Sequence, residues 1–397
     1  MAHSEQHDLV IRGGTIYDGL GGPPSRGDVA VDGDTITAVG APGALRGSIE
    51  IDAGGLAVAP GFINVLSWAN VSLLEDGRSQ SDLRQGVTLE VMGEGWSMGP
   101  LSESMKADLL ERQGDIKYDV AWTTLGGYLE HLERRGVSTN VASFVGAITL
   151  RIHAMGYDDR PPTESEMAHM RRLAALAMEE GAVGVSSALI YAPGVYAPPW
   201  ELVALAEVAG QYGGLYISHI RNEGARLLES LDELIDVARQ ANVAVEVYHL
   251  KASGRPNWHK LDDAIARIEL ARAAGLRVTA DVYPYPASST GLDATMPPWV
   301  QEGGHRAWVE RLKDPDVRAR LRHEMVTSDD SWESTFLAAG GAENILLIGF
   351  KSEALRPLVG KTLAEAAAMR GTSPAETAMD LVIEDDSDVG CVFFTMD

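Results

Sequence analysis

Two hydrophobic periods divide the chain. Residues 8–58 alternate apolar and polar side chains in the short runs "DLVIRGGTIYDG", "DVAVDGDTITAVG" and "SIEIDAGGLAVAPGF". Alternation of that kind marks strands with one buried face, and Asp32-Gly33 inside the second run predicts a tight hairpin turn. Residues 1–58 are therefore expected to form a small β-sandwich portion. From residue 59 onward the pattern changes to an apolar run followed by an amphipathic helix, repeated. The clearest runs are 181–191, 213–219, 243–249 and 276–285. Between them, "RLLESLDELIDVARQA" places Leu227, Leu231, Leu234, Ile235 and Ala238 on one helical face. "LDDAIARIELARAAG" does the same with Leu261, Ala264, Ile265 and Ile268, and Gly275 follows as a C-terminal cap.

Equivalent positions at these run ends are Ser187, His219, His249 and Asp281, at spacings of 32, 30 and 32 residues. Each spacing fits one βα unit. The runs are continuously apolar, as for parallel strands covered on both faces. "GFINVLSW", "GVTLEVMG" and "VASFVGAI" extend the series to seven. Polar residues recur at many strand ends and not at one switch point, which favours a (β/α)8 TIM-like barrel over a doubly wound sheet. The expected class is α/β, with residues 59–397 as a barrel whose last strand is missing. The period loosens after residue 290, and the chain stops on the strand-like "DVGCVFFTMD". Either this run or "ENILLIGF" (343–350) closes the barrel, or open strand edges invite a homo-oligomer or a completing C-terminal segment.

Composition narrows the function more than the fold. Acidic residues exceed basic ones by 57 − 33 = 24, a field that repels phosphate backbones and anionic lipid. The expected partner is a small molecule, with no nucleic acid and no membrane. A single cysteine, Cys391, suits a reducing compartment. The N-terminus has no basic-then-apolar leader, and no apolar run approaches the ~20 residues that cross a bilayer. These features point to the cytoplasm.

The chemistry concentrates at strand ends. A lone histidine is usually a core or surface residue, but His219 and His249 close successive strands and would project side by side at the barrel mouth, as zinc-binding imidazoles do. Alternation in "TLEVMGEG" puts Glu90, Met92 and Glu94 on one face with Glu94 last, so Glu94 is the candidate third ligand; a solvated loop carboxylate is the plain alternative. Lys251 reads either as a surface charge or as an ammonium for a substrate carboxylate, and Tyr283 either as a rim tyrosine or as a donor to an oxyanion. His3, His7 and His131 sit in polar stretches and read as solvated.

Seven segments resemble the D-aminoacylase (N-acyl-D-amino-acid deacylase) branch of the amidohydrolase superfamily. They are "DLVIRGGTIYDG", "PGFIN", "RQGVTLEVMGEG", "GAVGVSSALIYAPGVYA", "YISHIRNEG", "YHLKASGRPNW" and "DVYPYPASSTGL". The resemblance implies a barrel with a β-sandwich built from both termini, zinc at the mouth, and hydrolysis of N-acyl-D-amino acids by metal-activated water. His219 and His249 match the family's zinc histidines. Its cysteine ligand, in Gly-Asn-Cys-Gly, is replaced by the shorter "GEG" (93–95), which leaves Glu94 as the substitute. Lys251, Tyr283 and Ser289 match substrate-binding positions, and Arg221 and Asn222 would orient substrate or ligands.

Departures from the family pattern are as informative. The superfamily His-x-His pair after "PGFIN" is replaced by Leu66 and Trp68, so one zinc ion is expected, with other divalent metals open. Ala147 stands where the family often has a histidine. No Gly-Ser-Asp segment occurs, so the general acid/base aspartate is expected beyond Asp397. The competing expectations are a non-catalytic relative that binds acylated amino acids or peptides, and a hydrolase of other linear or cyclic amides.

Overall fold

The computed structural model describes residues 6–327 and 331–397; His3 lies outside them. The chain divides into two compact units, Met1–Ile63 with Asp82–Leu89 and Asn64–Ser81 with Glu90–Asp397.

The first unit carries β1 (Gln6–Ile16), β2 (Ser25–Asp32), β3 (Thr35–Gly40), β4 (Arg46–Asp52) and β5 (Ala57–Val58). The order is β3-β2-β1-β4, and β5 also pairs with β1. The hairpin between β2 and β3 forms where expected, closed by Asp32 opposite Thr35, with Gly33 at φ +60°. His7 is not simply solvated: its Nδ1 lies 2.8 Å from the Asp32 carboxylate.

In the second unit the α/β alternation is explicit. Strands β6 (Phe62–Ser67), β7 (Val87–Met92) and β8 (Asn140–Ser143) pair in that order; the C-terminal halves of β6 and β7 belong to this unit. Next come β9 (Val145–Gly146), β10 (Gly184–Ala188), β11 (Leu215–His219), β12 (Ala244–Val247) and β13 (Val278–Ala280), a five-stranded sheet parallel throughout. Only Phe144 separates β8 from β9, and its N–H donates to the Met92 carbonyl at 2.9 Å, which ties β7 to this junction. Helices Ala147–Met155, Glu164–Glu179, Pro199–Gln211, Leu227–Ala241 and Leu261–Ala273 run between the strands.

Helix Leu227–Ala241 buries all five residues of its expected stripe. In Leu261–Ala273 the buried stripe is Ala264, Ile268 and Ala271, while Leu261 and Ile265 are exposed. The stripe is therefore narrower than the sequence suggests: of the four expected residues only Ala264 and Ile268 turn inward. His131 is half-buried against Trp122, ring centroids 5.2 Å apart, and is not solvated as expected.

Strands β14 (Ser288–Gly291), β15 (Ile345–Gly349) and β16 (Gly390–Phe393) correct the sequence reading. They form a separate antiparallel sheet, β14-β16-β15, over its own core of Leu292, Trp308, Leu321, Met379 and Phe393 among others. Neither "ENILLIGF" nor "DVGCVFFTM" closes a barrel, because both edges of β16 are already occupied within this sheet. No helix among the described residues is long and apolar enough to cross a membrane.

Helix Glu164–Glu179 starts with a capping box, the Thr163 side chain accepting from the Glu166 N–H and the Glu166 carboxylate from the Thr163 N–H. Thr163→Ala leaves that helical donor without its side-chain acceptor. It is expected to lower stability by about 1 kcal/mol in urea denaturation; an unchanged midpoint would show the cap to be dispensable.

Candidate metal centre

Local backbone chemistry brings three candidate ligands together. Glu94 sits between Gly93 (φ +101°) and Gly95 (φ +67°), both in the left-handed region that favours glycine. A Cβ on Gly93 would stand 2.5 Å from the Phe144 carbonyl oxygen, and one on Gly95 2.7 Å from the Ala188 Cβ. The chain leaving β7 therefore passes hard against its neighbours, and Glu94 is carried inward. His219 is the last residue of β11. His249 follows β12 at φ +38°, its N–H donating to the Asp281 carboxylate at 2.7 Å. A left-handed histidine is uncommon, and this contact holds it there.

Oε1 of Glu94 lies 3.0 Å from Nδ1 of His219 and 3.0 Å from Nε2 of His249. One ligating atom from each of the three residues falls within 4.8 Å of the others, and all three side chains are buried. The imidazole rings stand nearly perpendicular, 83° apart at 4.5 Å. Two nitrogens and one carboxylate oxygen, buried at strand ends, make a donor set that suits a zinc-sized cation. Burial pushes the Glu94 carboxyl up, but hydrogen bonds from the two histidines pull it well below the usual carboxylate range. Burial lowers His219, keeping it neutral at pH 7. His249 resists burial and the Lys251 charge and rises to about 9, because Glu223 and Glu94 flank it.

A cavity of about 830 Å³ opens over the centre, walled by Trp68, Tyr191, Tyr283, Ser289, Asp293 and Glu333 among others. Leu66 and Trp68, the residues in place of the superfamily histidines, both line it. Trp68 has a role of its own: its indole Nε1 donates to Oε2 of Glu94 at 3.2 Å, holding the oxygen that the histidines leave free.

The expected substrate residues separate into three groups. Tyr283 faces the cavity with its hydroxyl buried and without a hydrogen-bond partner among the described residues. Lys251 and Ser289 reach the cavity but are engaged. Nζ of Lys251 lies 2.5 Å from Glu223 and 2.8 Å from Nδ1 of His249, and the Ser289 hydroxyl donates to the Cys391 carbonyl at 3.1 Å. Lys251 therefore reaches the cavity with its ammonium already paired to Glu223. Arg221 is the clearest correction. Its guanidinium is spent on Glu233 and on the carbonyls of Val195 and Ala197, and it does not line this cavity. Asn222 likewise turns to local structure, accepting from the N–H groups of Gly224 and Arg226.

Three residues escaped the sequence reading. Trp68 registered only as a lost ligand. Glu223 lies four residues past His219 in "SHIRNEG", and that spacing after a strand end was its only available signal. Glu333 has no local signal, since it arrives from a distant loop to accept from the Glu223 N–H. Burial and the Glu223 charge push its carboxyl up to about 8.

On another part of the cavity wall, burial and the neighbouring Asp388 push Asp293 up to about 7. Asp388 itself is held low by His305 and Arg112, against the desolvation that would raise it. An unfolded aspartate ionises near pH 3.9. Between about pH 4 and 7 the folded chain thus holds a proton that the unfolded chain has lost, and stability falls as pH rises through that window. Asp293→Asn is expected to flatten that part of the pH–stability curve in urea titrations; an unchanged slope would assign the effect elsewhere.

No family model matches the chain. Over 292 residues it is 40% identical to the N-acyl-D-glutamate deacylase of Alcaligenes xylosoxydans xylosoxydans, a match that covers 72% of this chain and 59% of the relative. It is 34% identical over 293 residues to the D-aminoacylase of the same organism, covering 73% and 60%. The chain thus spans about three fifths of the length of the curated relatives it matches. Among solved structures, D-aminoacylase superposes with a TM-score of 0.78 at 30% identity, covering 98% of this chain and 72% of that one. The N-acyl-D-glutamate deacylase of Bordetella bronchiseptica, complexed with zinc and a phosphonate mimic of the tetrahedral intermediate, gives 0.78 and 30% over 99% and 72%. A further D-aminoacylase structure, at 29% identity and 0.78 over 98% and 72%, concerns a binuclear metal centre activated by one metal and attenuated by the second. With similarity at this level running through the strands that carry Glu94, His219 and His249, the chain belongs to the D-aminoacylase subset of the amidohydrolases.

Proposed function

We propose that this chain carries the metal centre of a zinc-dependent hydrolase that cleaves the amide bond of N-acyl-D-amino acids. The observation that carries the reading is the convergence of Glu94, His219 and His249, with their ligating atoms within 4.8 Å of one another. The relatives' activities on N-acyl-D-amino acids support this substrate class. One ion is the favoured occupancy, because Leu66 and Trp68 offer no ligand where the superfamily pair would stand. Residues 1–58 are read as the small β portion and 59–397 as the catalytic body. Cys391, buried and unpaired, suits a cytoplasmic setting.

When bound, zinc supplies a Lewis acid and a water activated near neutral pH. The chain's own residues do the rest. Trp68 donates to Oε2 of Glu94 and orients that carboxylate beside the two histidines. Tyr283 presents an unengaged hydroxyl, kept protonated by burial and by the Glu223 and Glu94 charges, which can donate to a carbonyl oxygen as negative charge builds there. The Lys251–Glu223 pair is closed, so Lys251 contributes polarity at the cavity wall rather than a free charge for the substrate carboxylate.

The direct test combines metal analysis with hydrolysis of N-acetyl-D- and N-acetyl-L-amino acids by the full-length protein. About one divalent ion per chain and turnover confined to D substrates are expected. Metal-free protein, or binding of acylated amino acids without turnover by the full-length protein, would move the assignment to the non-catalytic alternative. Turnover of other linear or cyclic amides alone would change the substrate class and leave the centre in place. Tyr283→Phe is expected to lower kcat about 10²-fold with KM little changed; an equal rise in KM at constant kcat would make Tyr283 a binding group only.

A further inference from the structure

A metal-ligating imidazole keeps its proton on the ring nitrogen opposite the ligating one, and that N–H needs an acceptor. The nitrogens that meet at Glu94 are Nδ1 of His219 and Nε2 of His249. The opposite ones, Nε2 of His219 and Nδ1 of His249, are chemically different positions on nearly perpendicular rings. Both nevertheless face a single side chain. Oε1 of Glu223 lies 3.0 Å from Nδ1 of His249, and Oε2 lies 3.7 Å from Nε2 of His219. That second nitrogen is buried and has no hydrogen-bond partner among the described residues, so Glu223 is the acceptor within reach of a small ring rotation.

We propose that Glu223 is the positioning residue of the metal centre: one buried carboxylate accepts the far N–H of both histidines and thereby selects the ligating lone pair on each. This rests on the metal-centre reading above.

The surroundings hold Glu223 to that task. It lies in the loop after β11, four residues past His219. Its N–H donates to Glu333 at 2.5 Å and its carbonyl accepts from the Ser253 N–H at 2.7 Å, so the backbone is pinned on both sides. Lys251 supplies the compensating cation at 2.5 Å, which a carboxylate buried to this depth requires. Lys251 also lies 2.8 Å from Nδ1 of His249. Two donors cannot share that contact once the ring nitrogen carries a proton, which leaves the ammonium to Glu223. The chain thus runs from the metal-facing nitrogens through both rings to one carboxylate and on to one lysine, linking the ends of β11 and β12. A plain ion pair with Lys251 would not require both carboxylate oxygens to face histidine nitrogens.

Glu223→Gln keeps the size of the side chain but offers one acceptor oxygen and one donor, so it cannot receive both N–H groups. Zinc affinity, measured by competition with a chelator on the full chain, is expected to weaken about 10- to 100-fold. The melting temperature of the metal-free protein monitors folding separately. Nitrogen-15 spectra of zinc-loaded wild type are expected to show His219 protonated at Nε2 and His249 at Nδ1. Folded Glu223→Gln protein with the wild-type zinc constant would overturn the proposal and leave the metal centre standing. If the variant does not fold, the wild-type spectra decide, and the opposite tautomer on either ring overturns it. Wild-type protein that binds no zinc would remove the metal-centre reading first, and this inference with it.

Discussion

His219→Ala is expected to leave the purified protein without stoichiometric metal and to lower kcat/KM on an N-acetyl-D-amino acid by about 10³-fold or more, a loss of about 4 kcal/mol in transition-state stabilisation. Of the three candidate ligands, His219 is the one that burial lowers, so its imidazole can offer a ring lone pair to a metal without a net loss of a proton. It is also held by the strand itself, as the last residue of β11. Removing it leaves Glu94 and His249, an acid–base pair that can close on itself, and two ligands hold zinc poorly. The strand is parallel-paired on both sides, so the fold should survive an alanine there. Metal analysis, activity and thermal unfolding together check the result. Intact activity with metal still bound at the wild-type level would refute the ligand assignment.

The largest effect on stability is expected far from the cavity. Arg151, on helix Ala147–Met155, reaches Glu201 on helix Pro199–Gln211 at 2.6 Å, and both side chains are only 1% exposed. Arg151 also donates to the carbonyls of Asp158 and Arg160. Burial pushes the Glu201 carboxyl up, and Arg151 is the partner that opposes this shift. Arg151→Met would strand Glu201 in the interior along with two carbonyl oxygens, at a cost of about 3–5 kcal/mol. In the double variant Arg151→Met with Glu201→Leu both charges are gone, so much of the loss should return. Urea denaturation of the two single and one double variants checks this as a cycle. A single variant within about 1 kcal/mol of wild type would show that water or a neighbouring group already compensates Glu201.

How much of this was legible beforehand depends on the range of the interaction involved. The strand series from β6 to β13 and the helices between them follow from period and spacing, since each unit buries its own apolar run against its neighbours. His219 and His249 were visible for the same reason, since strand-end positions repeat at the period of the βα unit, whereas Glu94 came from alternation in its own strand and from the family motif. The exposure of Leu261 and Ile265 was not visible, because a helical stripe does not say which of two adjacent rows meets the sheet. The antiparallel sheet of β14, β15 and β16 was missed as a unit. Its strands come from segments more than 40 residues apart, and period carries no information about pairing at that distance.

The site shows the same division more sharply. Arg221 adjoins His219 in the sequence, yet a turn of the backbone sends it to Glu233, while Glu223 two residues later comes back to the imidazoles. Trp68 looked like a deletion and proves to be a hydrogen-bond donor to Glu94.

The amino-acid order alone determined the α/β class, the family and the three ligand candidates, because these rest on local period and on motifs carried by single segments. Tertiary structure alone decided which charges remain available. Lys251 is neutralised by Glu223, Glu333 is held protonated near neutrality, and Asp293 shares its wall with Asp388. Each outcome depends on burial and on a partner brought by folding from another part of the chain, and the free energy of an ion in the interior is set by those neighbours rather than by its own identity.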